Sequence, residues 1–351
     1  MELLELAGLK NLQTLAIVGT SKNAGKTTCL NHIIAAWRDA GIARPLALTS
    51  IGRDGEDEDV VSGRAKPRIY VYAGTLLATA ENAMQRSDVL LDVLALSGVR
   101  TAFGEIVICR AISDGYIELA GPSSASDLTQ IDQLLRQIAP DCLYIIDGAL
   151  SRRSQAGGGI TQNIILVTSG ETSAIPSELA EHVAHTLELL SLPELNPQQR
   201  DMLNDAISQS PDARVISLAS KNGQTQIQKL KLPTLLGHSF EIAALISEGI
   251  QHLFLRGAIT DEVINELLKD KHFRYLTLSV EDGTRLFINS RTLKRLKSRK
   301  INCAVLQPLQ VNLICFNPSR SDGAPVDSVA MQTALRQVTN IPVLDLGTAL
   351  V

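Results

Sequence analysis

Short apolar runs alternate with amphipathic segments along the first half of the chain. Continuous aliphatic runs are typical of strands that are covered on both faces of a sheet, whereas apolar residues three or four positions apart are typical of helices. The runs predict strands at residues 15–18, 45–51, 69–72, 105–110, 116–119, 143–146 and 164–167. The amphipathic segments predict helices at residues 25–39, 76–85, 125–138 and 177–190.

The pattern changes in the second half. Residues 191–235 combine Leu-Pro, Asn-Pro and Ser-Pro pairs with several glutamines, which indicates a linker with some helix at 196–208 and one strand at 214–218. A second alternating set starts near residue 236. It predicts helices at 239–248, 260–269 and 326–338, and strands at 252–255, 275–280, 303–306, 313–316 and 343–346.

Strand–helix alternation predicts an α/β fold with a mostly parallel, doubly wound sheet and a second, smaller α/β lobe. We predict a first domain at residues 1–190, a linker at 191–235 and a C-terminal α/β domain at 236–351. The pattern leaves open whether the last part forms its own lobe or extends the first sheet.

A glycine-rich segment, residues 19–28 (GTSKNAGKTT), follows the first predicted strand and opens the first predicted helix. In such a loop the backbone N–H groups point inward, and the positive end of the helix favours anions. Lys26 is placed to reach the β and γ phosphates of a nucleotide, and the Thr27 hydroxyl suits Mg²⁺. The segment predicts binding of ATP or another nucleoside triphosphate with Mg²⁺ by loop residues: Thr20, Asn23, Ala24, Gly25, Lys26, Thr27 and Thr28.

The spacing of this loop departs from the usual G-x-x-x-x-G-K-[ST] pattern. Gly19 and Gly25 enclose five residues, and Thr20 takes the place of the usual first glycine. This variant resembles the loop of dethiobiotin synthetase-like enzymes, whose branch of P-loop proteins also includes partition ATPases and metallochaperone GTPases. That branch often carries a second lysine in the loop, but Lys22 is one residue off its spacing and is given no role. An ordinary glycine-rich turn is the alternative.

A nucleotide site of this kind needs a carboxylate for magnesium at the end of a neighbouring strand. Asp147 directly follows the apolar run 143–146, so we predict it as a metal ligand; a capping aspartate is the alternative. Asp54 and Glu56 belong to a run of five acids within six positions. We predict that Asp54 supports the metal and that Glu56 orients a water, with a solvated acidic loop as the alternative.

Other residues give weaker signals. Arg53, Arg152 and Arg153 fall in predicted loops where an arginine would stabilise phosphate charge, and surface solvation is the alternative. His182 and His185 are spaced to share one helical face, yet no third metal ligand lies nearby in the sequence. The five cysteines are scattered without a CxxC pair, so no zinc or iron–sulfur site is expected.

Composition narrows the function classes. The chain is 45% hydrophobic and 3% aromatic, and its net charge of −4 predicts no general attraction to nucleic acid or anionic lipid. The basic run at 294–300 is interpreted as the solvated face of a helix. No apolar run approaches the ~18 residues of a membrane span, and no leader pattern is present at the N-terminus, so we expect a cytoplasmic protein without membrane partners.

Four stretches together resemble one known family: residues 17–28, 48–56, 66–69 and 145–149. They are similar to the P-loop subunit of the lysine 5,6-aminomutase reactivase. The resemblance implies an ATPase that exchanges a spent cobalamin in an aminomutase client, an enzyme that uses adenosylcobalamin and pyridoxal phosphate. It also implies a MutS-like ATPase as the second subunit.

The sequence therefore predicts an ATP- and Mg²⁺-dependent P-loop ATPase. Lys26, Asp54 and Glu56 are its expected catalytic residues, and Thr27, Asp54 and Asp147 are its expected metal ligands. Two other functions stay open. One is an ATP-dependent ligase like dethiobiotin synthetase, and the other is a regulatory subunit that binds a nucleotide without hydrolysing it.

Overall fold

The computed structural model describes residues 2–51, 68–122, 124–149, 161–221, 224–246, 248–320 and 322–347. The chain forms two compact units: Met1–Thr186 together with Gln310–Val351, and Leu187–Leu309. The second unit is thus inserted in the sequence of the first. The predicted first domain ends at residue 190, close to the observed boundary after residue 186. The predicted linker, 191–235, lies within the second unit, and residues 310–351 of the predicted C-terminal domain belong to the first unit.

The elements are numbered along the described residues. The strands are β1 (Thr14–Gly19), β2 (Leu46–Ser50), β3 (Ile69–Val71), β4 (Leu76–Ala80), β5 (Leu91–Thr101), β6 (Gly104–Ala111), β7 (Gly115–Ile117), β8 (Leu143–Ala149), β9 (Asn163–Ser169), β10 (Ala213–Lys221), β11 (Gln224–Lys231), β12 (Ile250–Leu255), β13 (Ile259–Thr260), β14 (Thr277–Val280), β15 (Leu286–Phe287), β16 (Asn302–Val305), β17 (Gln310–Asn317) and β18 (Val343–Asp345). The helices are α1 (Glu2–Leu6), α2 (Lys26–Asp39), α3 (Glu81–Met84), α4 (Ala125–Ile138), α5 (Pro176–Leu190), α6 (Pro197–Gln209), α7 (Ser239–Ala243), α8 (Asp261–Leu267), α9 (Ser290–Ser298) and α10 (Ser328–Val338).

The first unit is built on a nine-stranded sheet with the order β18-β17-β9-β1-β8-β2-β4-β6-β5. The strands from β18 to β4 run parallel, and β6 and β5 continue the sheet as an antiparallel pair. Helix α2 packs on this sheet with Cys29, Leu30, Ile33, Ile34 and Trp37 buried. The expectation of an α/β fold with a large, mostly parallel sheet is confirmed.

The structure corrects three parts of the predicted element order. The strands predicted at 313–316 and 343–346 belong to the first sheet as β17 and β18, where β17 pairs with β9. The helix predicted at 76–85 is mainly strand β4, whose five residues are all buried, with helix only at Glu81–Met84. The edge strand β5 was not predicted, because its exposed and buried residues follow no regular alternation.

The second unit contains a mixed sheet with the order β11-β10-β12-β14-β16. Strands β12, β14 and β16 run parallel, and β10 is antiparallel to both of its neighbours. Helices cover both faces: α8 and α9 contribute Val263, Ile264 and Leu293 to one core, and α6 contributes Leu203 to the other. The segment predicted as a linker therefore forms α6, β10 and β11. Among the described helices, none has both the length and the apolar character that crossing a bilayer requires.

One buried polar pair lies within the second sheet. His252 on β12 is only 2% exposed, and its Nε2 is 2.5 Å from the hydroxyl of Ser279 on β14. The other ring nitrogen, Nδ1, is buried without a hydrogen-bond partner among the described residues. Burial lowers the pKa of His252 to about 4, because the surrounding core disfavours the charged imidazolium. The ring is therefore neutral at neutral pH.

We expect the second unit to lose stability as the pH falls. An unfolded histidine binds a proton near pH 6.5, whereas folded His252 does so only near pH 4, so the unfolded state binds more protons between these values. Between pH 6.5 and pH 4, the free energy of unfolding should fall by about 3 kcal/mol at most. His252→Gln should remove that part of the pH dependence in urea unfolding, read locally by hydrogen exchange of the β12 amides.

His238→Gln is the matched control. His238 is a partly exposed histidine beside Glu241, with 3.2 Å between Nδ1 and Oε1. Its replacement should leave the acid-side slope of the second unit largely in place. If His252→Gln and the natural chain showed the same slope between pH 6.5 and 4, the buried-histidine explanation would be wrong.

Candidate functional site

The loop between β1 and α2 lies at the carboxyl end of β1, an interior strand of the first sheet. Strand β1 is buried from Leu15 to Gly19 between its parallel neighbours β8 and β9. The chain then turns through two left-handed residues, Asn23 (φ 60°) and Gly25 (φ 97°), before α2 begins at Lys26. Gly25 is the N-cap residue and has no side chain to bond the N–H groups of the first turn. Those N–H groups are suited to an anion.

Glycine is required at position 25 by space as well as by conformation. A Cβ atom placed on Gly25 would lie 2.3 Å from Nδ2 of Asn317, which is closer than such atoms approach. Asn317 ends β17 and is 8% exposed, and its Oδ1 accepts a hydrogen bond from the N–H of Ser319 at 3.2 Å. Helix α2 also packs directly on β17, because the thiols of Cys29 on α2 and Cys315 on β17 are 3.7 Å apart.

A cluster of hydroxyl groups holds the first half of the loop. The Thr20 hydroxyl is 3.0 Å from that of Thr168 and 2.8 Å from that of Thr172, and the Ser21 hydroxyl is 3.2 Å from that of Thr172. The N–H of Thr20 donates to the carbonyl of Val167 at 2.9 Å. The sequence analysis includes Thr20 among the nucleotide contacts, but the structure engages both its hydroxyl and its N–H within the protein.

Asp147 lies beside this loop, on the neighbouring strand β8. Its Cα is in register with Ile17 of β1 and with Ser50 of β2. The carboxylate oxygen Oδ1 is buried and has no hydrogen-bond partner among the described residues. Burial raises the pKa of Asp147, and the positive charge of Lys26 opposes that shift. A buried carboxylate oxygen without a partner is rare, and it is relieved by a bound cation, water or ligand.

Lys26 and Ala24 fold back over the end of β1. The position of a Cβ on Gly19 would be 3.3 Å from Cδ of Lys26 and 3.1 Å from Cβ of Ala24. The aliphatic part of the lysine thus packs against the first glycine of the loop. Thr27 and Thr28 follow in the first turn of α2, where both are partly buried. The predicted loop residues are therefore brought together around one helix end.

A second loop closes the other side of the site at the end of β2. A Cβ on Gly121 would lie 1.7 Å from the carbonyl oxygen of Ser50, so only glycine fits there. The Ser50 hydroxyl accepts from the N–H of Gly121 and donates to the carbonyl of Leu119, each at 3.0 Å. The loop after β7 therefore reaches the edge of the sheet at which β2 ends.

Several predicted residues lie outside the described part of the chain. Asp54, Glu56 and Arg53 fall in residues 52–67, and Arg152 and Arg153 fall in residues 150–160. Their predicted roles stay predictions. Among the described residues, no group of three or more His, Cys, Asp or Glu side chains could hold a metal, so the histidines of α5 form no such cluster.

The chain matches no protein-family model, no characterised protein and no solved structure. What this loop can do is therefore argued from its own geometry. It combines uncapped N–H groups at a helix end, a lysine, threonine hydroxyls and a carboxylate with an unsatisfied oxygen. This set suits a phosphate-bearing anion together with a hard divalent cation.

Asn317 is the contact that the sequence analysis missed. It follows an apolar strand that we predicted in a separate lobe, so nothing in the pattern brought it near Gly25. Its one detectable signal is its position: a polar residue directly after an aliphatic run, where the carboxyl ends of parallel strands meet.

The contact between Gly25 and Asn317 can be tested against a glycine that has no neighbour. Gly74 has φ 94°, close to the 97° of Gly25, but nothing lies within 4 Å of its Cβ position. Gly74→Ala should lower the free energy of unfolding by about 1–2 kcal/mol, the cost of a left-handed alanine. Gly25→Ala should lose a further ~1–3 kcal/mol from the clash, measured by denaturant unfolding.

The double variant Gly25→Ala/Asn317→Ala should recover most of that difference, because the clashing amide is gone. Equal stability of the two single glycine variants would show that Asn317 does not restrict position 25.

Proposed function

We propose that the chain is a P-loop protein that binds ATP with Mg²⁺. The observation that carries the proposal is Oδ1 of Asp147, which is buried and has no hydrogen-bond partner in the described part of the chain. It lies near the charge of Lys26, at the carboxyl end of β8. A magnesium ion and its bound water would satisfy that oxygen, and a triphosphate would satisfy the lysine and the uncapped helix end. The strand order β9-β1-β8-β2 around the loop supports the finer reading of a doubly wound P-loop fold.

Most of the loop residues have a defined part in this proposal. The N–H groups of Ala24, Gly25 and the first turn of α2 bind phosphate oxygens. The Lys26 ammonium neutralises charge on the β and γ phosphates, and the Thr27 hydroxyl and Asp147 hold the metal. When bound, Mg²⁺ supplies a Lewis acid that stabilises charge on the transferred phosphoryl group. Thr20 and Thr172 keep the loop in shape through their hydroxyl contacts.

The hydrolytic and biological parts of the proposal rest on the sequence. Asp54 and Glu56 are the proposed metal-supporting and water-orienting residues. The four stretches that resemble the reactivase subunit support a chaperone-like ATPase, acting with a MutS-like subunit on an adenosylcobalamin-dependent lysine aminomutase. In this function, nucleotide binding or hydrolysis shifts the protein between conformations that differ in affinity for the client.

The role of Asp147 predicts opposite effects on the free and the loaded protein. Because burial disfavours its charged form and Oδ1 is unpartnered, Asp147→Asn should raise the melting temperature of the free protein at pH 7–8. The same change should abolish the further stabilisation that Mg²⁺ adds to ATP. Differential scanning fluorimetry with ATP, with and without Mg²⁺, measures both effects.

Asp345→Asn is the matched control at the end of another strand of the same sheet. Its carboxylate accepts hydrogen bonds from Gln332 at 2.9 Å and from the N–H of Gly347 at 2.7 Å. That substitution should destabilise the free protein and leave the Mg²⁺ effect in place. A free Asp147→Asn protein that melts lower, with its Mg²⁺ effect intact, would remove Asp147 from the metal site.

The lysine provides the test of nucleotide binding itself. Lys26→Ala should weaken ATP·Mg²⁺ binding in calorimetry by at least 100-fold, since about 3 kcal/mol of charge-assisted contact is lost. Undiminished affinity would contradict the proposed site.

Hydrolysis of ATP and GTP is then measured with and without an adenosylcobalamin-dependent aminomutase. If the aminomutase stimulates hydrolysis, and Lys26→Ala abolishes that stimulation, the result supports reactivation. Hydrolysis that requires a small carboxylate substrate would instead indicate a ligase.

A further inference from the structure

A basic surface lies on the second unit, which contains none of the residues proposed for the nucleotide site. Residues 269–275 and 290–300 carry nine lysines and arginines and one acid, Asp270, in a chain whose net charge is −4. The two segments are adjacent in the structure: the N–H of Tyr275 donates to the carbonyl of Arg299 at 3.1 Å. The charge of this surface is therefore opposite to that of the chain as a whole.

Helix α9 forms the core of this surface, and part of its charge is unfavourable for the helix itself. Thr292, Leu293 and Leu296 are buried, whereas Arg291, Lys294, Arg295 and Lys297 are exposed. Cations three or four positions apart repel each other, and a cation in the first turn opposes the helix dipole. The first turn contains no acid, whereas Arg295 and Lys297 lie in the last turn, where the dipole favours cations. Local helix stability therefore does not explain the charges of Arg291 and Lys294.

Part of the charge is already engaged within the protein. Lys269 pairs with Glu266 at 2.6 Å, Lys297 pairs with Glu188, and the guanidinium of Arg299 bonds backbone carbonyls of the preceding segment. Five cations make no side-chain hydrogen bond or ion pair among the described residues: Lys271, Arg274, Arg291, Lys294 and Lys300. All five are exposed. They are available to an external anion.

Tyr275 gives a second, independent observation. Its side chain is 65% exposed, and its backbone is left-handed with φ 54°, a conformation that is costly for a bulky residue. Arg274 Cζ lies 5.8 Å and Lys300 Nζ 5.4 Å from the centre of its ring. An exposed aromatic ring flanked by cations is an arrangement on which a nucleobase stacks, and the strained backbone sets Tyr275 apart from an ordinary surface residue.

We propose that this basic surface, defined by Lys271, Arg274, Tyr275, Arg291, Lys294 and Lys300, binds single-stranded nucleic acid. The unpaired cations contact phosphates, and a base stacks on Tyr275. The net charge of −4 predicts no long-range attraction, so this binding is local, moderate and sensitive to salt.

Two other anionic partners fit less well. The exposed face of α9 consists of Arg, Lys and Ser residues, and it offers no apolar side chain to insert into a bilayer. An acidic protein segment would pair with the cations but would not need a strained, exposed tyrosine. Both partners are outcomes of the test below.

The probe is a fluorescein-labelled oligouridylate 20-mer, and its anisotropy is measured with the full chain between about 50 and 200 mM salt. The natural chain should bind, and its affinity should fall steeply with salt. Arg291→Gln/Lys294→Gln/Lys300→Gln should reduce the slope of log K against log salt by about 2, at ~0.7 for each lost phosphate contact. Tyr275→Ala should bind about tenfold more weakly, and Tyr275→Phe should bind as the natural chain does.

Two controls separate binding from folding. Lys229→Gln/Lys231→Gln removes two cations of β11 outside the basic surface, and it should leave the affinity unchanged. Tyr275→Asn should melt at the same temperature as the natural chain or higher, because asparagine tolerates the left-handed conformation, while its affinity falls. No binding at the lower salt concentration would overturn the proposal. So would an affinity indifferent to Tyr275, or equal affinity for poly-L-glutamate or phosphatidylserine vesicles.

Discussion

Burial of β1 between two parallel neighbours is the constraint on which the rest of the first unit depends. Because β8, β1 and β9 share a direction and a fixed register, their carboxyl ends meet at one edge of the sheet. The described residues of the proposed nucleotide site, Thr20 to Thr28 and Asp147, lie at that edge. The aliphatic core below is continuous and holds these ends rigidly, so a short loop is enough to place a lysine beside a carboxylate on another strand.

The loop itself is shaped by contacts from two other strands. Hydroxyl groups at the end of β9 fix Thr20 and Ser21, and the amide at the end of β17 fills the space over Gly25. Oδ1 of Asp147 on β8, by contrast, is buried without a hydrogen-bond partner among the described residues. Burial of this carboxylate disfavours its charged form. Under the proposed function, a cation bound at Asp147 would offset that cost.

Local sequence signals predicted β1, α2, β8 and the placement of Asp147, because each depends on a contiguous aliphatic run followed by a turn. They failed where the answer depends on distant pairing. The apolar run at 313–316 is compatible with a strand in either sheet. Its pairing with β9 places it in the first sheet, and Asn317, which follows the run, therefore lies at the end of that sheet. Residues 76–80 have a helix-compatible composition, but pairing with β2 and β6 makes them a strand. The motif alone did not show that the Thr20 hydroxyl contacts Thr168 and Thr172, so its predicted nucleotide contact stays a prediction.

The insertion of residues 187–309 within the first unit has a consequence for synthesis. The amide that fills the space over Gly25 comes 292 positions later in the chain (317 − 25), so at about 5–20 residues per second it leaves the ribosome some 15–60 s after the loop. During that interval β9 is an open sheet edge in the nascent first unit, and its six buried aliphatic and hydroxyl residues lack their final neighbour. A chaperone that shields unpaired strand edges would therefore matter most for this protein while it is still being translated.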